Sequence, residues 1–383
     1  MVLFLLLYIS IYGGVHAYAF MKLKRGLELG MTGNSLLALL MLLMVVAPMA
    51  VRAMEHAVQG TLARGLAVIA FTWMGLVFLF VSCSFLFDIY RFLHFLTRHL
   101  LNSPLAHLTF SHRTYCLVAL LLTAVIAVYG YFEARAIRTE VITLTTDKLP
   151  PDVKEIRIVQ ISDIHLGLIV GKSRLQRIIN KVKDARPDIL VSTGDLVDGY
   201  MDRPEALAGM LKSVPAKYGK FAVTGNHEFY AGLERALAFT EKAGFVVLRE
   251  DGRTVDGVIN IAGVDDPARG RYRKKHALSE KALLEKLPRD RFTLLLKHQP
   301  VVSPQSVKLF DLQLSGHTHK GQIFPFSLAT RMFYRMHTGL STLGNGAHLY
   351  VSRGTGTWGP PIRFLAPPEV TVIDLFRPSK RPS

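Results

Sequence analysis

The chain has 383 residues, half of them hydrophobic, with 46 Lys+Arg against 29 Asp+Glu and a formal net charge of +17. That apolar content excludes a disordered chain, and two cysteines, Cys83 and Cys116, exclude a disulfide-stapled module. A mean hydropathy of +0.28 beside such basicity points to two unlike halves.

Residues 1–140 carry 10 basic and 5 acidic side chains, and residues 141–383 carry 36 and 24. Four runs in the first part lack Asp, Glu, Lys and Arg: residues 2–21, 29–51, 65–87 and 114–132. A helix needs about 20 apolar residues to cross a bilayer core. Residues 1–140 therefore read as a four-span transmembrane region, since buried soluble helices are shorter and amphipathic. The first run has no basic segment before it, which favours a retained helix over a cleaved signal.

Four spans place both termini on one side of the membrane. The first and third loops hold Lys22, Lys24, Arg25, Arg91, Arg98 and Arg113; the other side holds Arg52, Arg64, Arg135 and Arg138. The positive-inside rule puts the first and third loops in the cytoplasm. A multi-pass inner-membrane protein with an extracytoplasmic C-terminal domain is expected. Both cysteines sit in or beside the spans, so they do not fix the compartment. His94, His99, His107 and His112 in the third loop admit a metal site or an interfacial stretch.

From residue 141 the pattern changes to short apolar runs alternating with amphipathic segments. Strands are predicted at 156–162, 189–192, 221–224, 245–248, 258–264, 292–297, 312–315, 349–352 and 370–375. Helices are predicted at 172–184, 205–211, 233–243 and 279–287. Buried strands alternating with amphipathic helices imply a layered α/β domain over 141–383. Residues 377–383 read as a short basic tail.

Five strands are each followed by residues that ligate metals. These are Asp163-Ile-His165, Gly194-Asp195-Leu-Val-Asp198, Gly225-Asn226-His227-Glu228, His298, and Gly316-His317-Thr-His319. Ligands of open α/β sheets bind outside the carboxyl ends of strands. Aspartate and asparagine supply oxygen and histidine supplies nitrogen, with no thiolate, so a polynuclear hydrolytic site fits better than a zinc finger. The spacing of two in Asp163/His165 and His317/His319 turns each pair toward one cavity if the backbone is extended. Asp195 is the candidate bridge between two cations. Each block alone is weak; five in this order, each after a strand, are specific.

Across residues 156–322 the five blocks resemble the calcineurin-like metallophosphoesterases. The resemblance implies a four-layer fold of two β-sheets flanked by helices, and two divalent metal ions, Mn, Fe or Zn. It assigns Asp163, His165 and His319 to one metal, Asn226, His298 and His317 to the second, and Asp195 to both. It makes His227 a general acid or transition-state stabiliser, oriented by Asp198. The ending Gly354-Thr-Gly356, Gly359-Pro-Pro-Ile-Arg363 and Pro367-Pro-Glu369 is similar to a bacterial subfamily with membrane-anchored phosphodiesterases and some enzymes acting on UDP-diacylglucosamine. That subfamily usually follows Gly-His-Thr-His with Gly-Gly-Gln; here it is Lys320-Gly321-Gln322.

The expected function is a membrane-anchored, two-metal phosphoesterase, a phosphodiesterase or pyrophosphatase on a lipid or cell-envelope phosphate ester, with a metal-bridging hydroxide as nucleophile. The alternatives are a cytoplasm-facing UDP-2,3-diacylglucosamine hydrolase, a phosphodiesterase of small soluble diesters, and a non-enzymatic membrane sensor. The soluble half carries a surplus of 12 basic charges, densest at 269–275. It suits anionic lipid headgroups, a phosphorylated substrate, or a plain solvated loop. Nucleic acid is not an expected partner, because aromatic interleaving is thin.

Overall fold

The computed structural model describes residues 2–54, 60–101, 109–272, 278–344 and 346–378. His107, residues 273–275 of the basic cluster and residues 379–383 of the tail lie outside them. The chain divides into two compact units, Met1–Phe132 with Gly359–Ile362, and Glu133–Trp358 with Arg363–Ser383.

The first unit is helical. It comprises α1 (Val2–Tyr8), a π-helical turn (Ile9–Gly13), α2 (Gly14–Leu27), α3 (Met31–Met54), α4 (Thr61–Leu101) and α5 (His112–Glu133). Among the described residues, three helices are long and apolar enough to cross a membrane: Met31–Met54, Thr61–Leu100 and His112–Glu133. These are the second, third and fourth predicted spans. The first charge-free run is helical as well, with α1, the π-turn and α2 following one another without a gap from Val2 to Leu27. Small residues Ala19 and Ala119 are buried between the helices, while Leu36, Leu42 and Leu121 face outward. That inside-out pattern suits lipid surroundings. None of His94, His99 and His112 belongs to a group able to hold a metal among the described residues.

The second unit is built on two six-stranded sheets. Its strands are β1 (Arg138–Thr145), β2 (Glu155–Ile161), β3 (Ile189–Ser192), β4 (Lys220–Ala222), β5 (Val246–Val247), β6 (Asp251–Val255), β7 (Ile259–Gly263), β8 (Phe292–Leu296), β9 (Leu312–Ser315), β10 (Gly339–Thr342), β11 (His348–Val351) and β12 (Glu369–Phe376). Its helices are α6 (Lys172–Ala185), α7 (Pro204–Lys212), α8 (Asn226–Ala231), α9 (Leu233–Lys242), α10 (Glu280–Glu285) and α11 (Phe326–Phe333). One sheet runs β1-β12-β2-β3-β4-β5 and the other β10-β11-β9-β8-β7-β6. β2 to β5 are parallel, as are β7, β8, β9 and β11.

Strand periodicity sorts the core into layers. Ile156, Ile158, Ile189 and Val191 meet Ile259, Ile261, Leu294 and Leu314 between the two sheets. The opposite face of the first sheet, with Val159, Ile161 and Leu190, is covered by Leu175, Ile178 and Val182 of α6, Leu207 and Leu211 of α7 and Phe239 of α9. Ala262 and Leu295 of the second sheet are covered by Leu283 and Leu284 of α10. The result is a double-sheet sandwich with helices outside. Parallel β2, β3 and β4 end at the same edge, which delivers Asp163, Asp195 and Asn226 side by side; β8 and β9 deliver His298 and His317.

Candidate metal centre

Three overlapping groups of buried or half-buried donors stand at that edge, each with ligand atoms within 4.8 Å of one another: Asp163/His165/His319, His165/Asp195/His227 and Asp195/His298/His317. His165 Nε2 lies 3.1 Å from His319 Nε2, and His319 Nε2 lies 3.4 Å from Asp163 Oδ1. On the other side, His298 Nε2 lies 3.2 Å from Asp195 Oδ2 and 3.2 Å from His317 Nδ1. Asn226 Oδ1 is 3.1 Å from His317 Nδ1. Asp195 belongs to two of the groups, and its Oδ2 lies 3.7 Å from Nε2 of His165 in the remaining one. The sequence pattern and the geometry thus bring together all seven predicted donors.

The backbone that achieves this is not extended. Asp163, His165, Asp195, His317 and His319 have φ of 53°, 55°, 51°, 71° and 48°. The expected extended segments with alternate side chains on one face are replaced by left-handed turns. His317 and His319 belong to different donor groups, while Asp163 and His165 share one. Left-handed backbone is costly for residues with a Cβ, and such strain collects where a site demands it.

Glycine makes room at two points. A Cβ on Gly225 would stand 2.1 Å from Asp195 Oδ1, and one on Gly316 would stand 2.2 Å from Asp163 Oδ2. Both carboxylates therefore sit directly against bare backbone. The His227 amide donates to Asp195 Oδ1 (2.9 Å) and the His317 amide to Asp163 Oδ1 (2.9 Å). His298 Nδ1 contacts the Thr193 carbonyl at 2.8 Å, which turns Nε2 toward the centre.

The electrostatics follow from this crowding. Burial and then Asp195 push Asp163 up. Burial also disfavours a charged Asp195, but His298 and His227 hold it well below the usual carboxylate range. Burial and then His298 push His317 down to about 3, so its ring is neutral and its nitrogen is free to donate. His298 is raised well above normal because Asp195 outweighs burial. The carboxylates that attract a proton there would equally attract a cation, and the two compete. The donor set is buried, anionic at its centre, and composed of oxygen and imidazole nitrogen, which fits two divalent cations.

His227 is set apart. Its Nδ1 lies 2.5 Å from Asp198 Oδ1, and its ring meets His165 edge-on at 4.7 Å between centroids. Burial lowers the His227 pKa, but Asp195 and Asp198 overcome this and raise it above the ordinary value. Asp198 is held far below normal by His165 and His227 despite its burial.

Sequence reasoning assigned no role to several neighbours. Buried Glu228 accepts from the amides of Asp195 (3.0 Å), Leu196 (2.7 Å), Val197 (3.1 Å) and Gly225 (2.7 Å), tying two metal loops together. Fully buried Arg363 bonds the carbonyls of Gly356, Arg353 and Ala366 and lies 3.1 Å from His319 Nδ1. Both stood inside quoted motifs, but nothing in their spacing revealed a carboxylate that collects amides or an arginine that collects carbonyls. Tyr230 and Trp358 flank His227 at 5.5 and 5.8 Å, and Tyr334 flanks His317 at 5.5 Å. Lys320 has φ of 52°, a conformation that glycine adopts more readily, matching the glycine expected there.

A family model for the calcineurin-like phosphoesterase matches residues 156–321. A metallophosphoesterase of Aquifex aeolicus is 38% identical over 255 residues, which is 66% of this chain and 97% of that protein. The chain belongs to the calcineurin-like metallophosphoesterases. The metallophosphoesterase YkuE of Bacillus subtilis is 34% identical over 64% of this chain and 89% of its own. A zebrafish (Danio rerio) transmembrane protein with a metallophosphoesterase domain is 34% identical over 67% of this chain and 62% of its own. A 5′-nucleotidase precursor of Thermus thermophilus aligns with a TM-score of 0.35 at 16% identity, over 58% of this chain and 54% of that one, too weak a match to inform the site. This metallophosphoesterase is a metal-dependent phosphoester hydrolase, with several apolar helices consistent with membrane association.

Proposed function

We propose that this metallophosphoesterase is a membrane-anchored phosphodiesterase or pyrophosphatase acting on a lipid or envelope-linked phosphate ester. Asp163, His165 and His319 would hold one divalent cation, Asn226, His298 and His317 a second, and Asp195 would contact both. The observation that carries this is the convergence of six oxygen and nitrogen donors on a seventh, Asp195, with His227 and Asp198 beside them. Two bound cations would supply a water nucleophile near neutral pH and neutralise charge on the phosphoryl oxygens.

The remaining work falls to the chain's own residues. The leaving oxygen departs with a full charge unless it receives a proton. His227, which Asp195 and Asp198 keep protonated above the ordinary histidine range, supplies that proton from Nε2. Asp198 on Nδ1 fixes the ring and the tautomer. Glu228 keeps the Asp195 and Asn226 loops in register through four amides. The excess of basic loop residues on one side of the spans supports an extracytoplasmic catalytic unit in the inner membrane.

The test is hydrolysis of bis-p-nitrophenyl phosphate and of its monoester by the full-length protein in nanodiscs, with Mn²⁺ or chelator. Metal-dependent diesterase activity lost in Asp195→Asn and cut about 10²–10⁴-fold in His227→Ala is the expected result. A metal-loaded protein inert toward both esters would sink this reading.

A further inference from the structure

Helix α11 carries its hydrophobicity on the wrong side for a core helix. Met332 is 86% exposed, Phe333 84%, Leu328 57% and Phe326 54%, while the buried position is the polar Thr330. At 100° per residue these apolar side chains span an arc of about 160°. A contiguous apolar face in solvent marks a binding surface.

The face adjoins the metal centre. The helix begins four residues after Gln322 and is pressed against the metal loop: a Cβ on Gly321 would stand 2.4 Å from Ser327 Cα. It ends at Tyr334, whose ring meets His317. Gln322 also exchanges two hydrogen bonds with the backbone of Trp358, which is half exposed and lies on His227. Tyr334 at the end of α11 thus meets His317, and Trp358, tied to Gln322 in the loop before α11, meets His227.

Cations rim the same surface. Arg331 and Arg335 are exposed and Lys320 is partly so. Burial, and then the charges of Arg331 and Lys320, push His337 down, so both cations act on that imidazole. An apolar face beside cations and a metal centre complements a phosphate ester bearing a long hydrocarbon chain.

We propose that the exposed face of α11 binds the acyl or alkyl chain of an amphiphilic phosphoester while the metal centre holds its phosphate. This rests on the phosphoesterase reading above and adds the substrate class. The surface would discriminate by chain length, since each methylene moved from water onto it contributes to binding.

The experiment compares methyl and dodecyl p-nitrophenyl phosphate, below the micelle threshold of the latter, with full-length protein in nanodiscs. In both reactions water adds to phosphorus and the bond to the nitrophenyl oxygen breaks, giving the alkyl phosphate and nitrophenolate. The dodecyl ester should show kcat/KM at least about tenfold above the methyl ester. Met332→Asp/Phe333→Asp should collapse that ratio, and Met332→Leu/Phe333→Leu should keep it. Equal turnover of both esters by the unmodified protein would overturn the chain site and leave the phosphoesterase reading standing. A high ratio that survives the aspartates would also overturn it, because the chain is then recognised elsewhere. A change of oligomeric state in the aspartate variant, read by light scattering, would reassign the face to contact between copies. Failure of a metal-loaded protein to cleave either ester would refute the phosphoesterase reading and this one with it.

Discussion

Single residues decide how protons are handled at this site. His227 has its pKa raised by Asp195 and Asp198 against burial, so the folded unit favours its protonated form. Its stabilising contribution is full below the unfolded value near 6.5 and is lost as pH rises through the higher folded value. As a general acid it must be protonated, so kcat should fall on the alkaline side above pH 6.5. In Asp198→Asn that limb should move to lower pH, and in His227→Ala it should vanish. A pH–rate profile of the three proteins checks this, and an alkaline limb unchanged in His227→Ala would assign the proton to another group. Arg363 acts on structure instead. It satisfies the carbonyls of Gly356, Arg353 and Ala366, and each carbonyl left unpaired costs about 1–3 kcal/mol. Arg363→Met should therefore destabilise the unit by about 3 kcal/mol or more in denaturant unfolding, and a loss under about 1 kcal/mol would contradict this account.

Elements differ in how openly the sequence announces them. β3 and β9 fall on the residues predicted, because a fully buried parallel strand is a short apolar run bounded by polar residues. β1, β6 and β10 escaped prediction, since much of each is exposed and their polar sequences read as loop. β1 matters most. It pairs in parallel with β12 from Arg138↔Glu369 to Thr145↔Phe376, and Arg353 pairs with its Glu140. A fragment starting at residue 141 would lose the first three of these pairs, whereas one starting at residue 133 keeps all eight. We expect the longer fragment to melt several degrees higher, as measured by circular dichroism. Equal melting temperatures would mean that the start of β1 contributes nothing. Helix α11 was missed for a different reason, because its apolar face lies outward and its eight residues look like an irregular hydrophobic stretch.

At the scale of the molecule, the metals and the fold are linked. Three buried carboxylates, Asp163, Asp195 and Glu228, and the half-buried Asp198 crowd with His165, His298 and His319 at one sheet edge. Cations bound there would stabilise the folded state in proportion to ligand excess, by about 2.7 kcal/mol at a hundred times Kd. For a unit of this size that corresponds to about 5–10 °C. Calorimetry of the full-length protein with chelator and then with added Mn²⁺ should show a fall and a recovery of this order in the transition of the catalytic unit. A transition insensitive to metal would mean that the donors are held by the scaffold without help. The apolar helical unit is suited to another solvent altogether. Its apolar side chains face outward and its small residues inward, so extraction should require detergent, and release of the chain by alkaline carbonate alone would contradict the spanning reading.

The sequence by itself determined the chemistry and the layered architecture. Donor types, their order and their positions after buried strands follow from local pattern, because a parallel strand ends at the same edge as its neighbours wherever they lie in the chain. It also determined that the first part of the chain is apolar enough for membrane helices. Tertiary structure alone decided the rest. The backbone route by which Asp163, His165, His317 and His319 reach the centre depends on left-handed turns that residue spacing cannot express. Whether the first apolar run is one straight helix depends on a π-turn at Ile9–Gly13. The roles of Glu228 and Arg363 depend on which amides and carbonyls converge from distant loops, and the outward face of α11 depends on which side of the helix the metal loop covers. Each of these is set by contacts between segments far apart in sequence, which no local periodicity records.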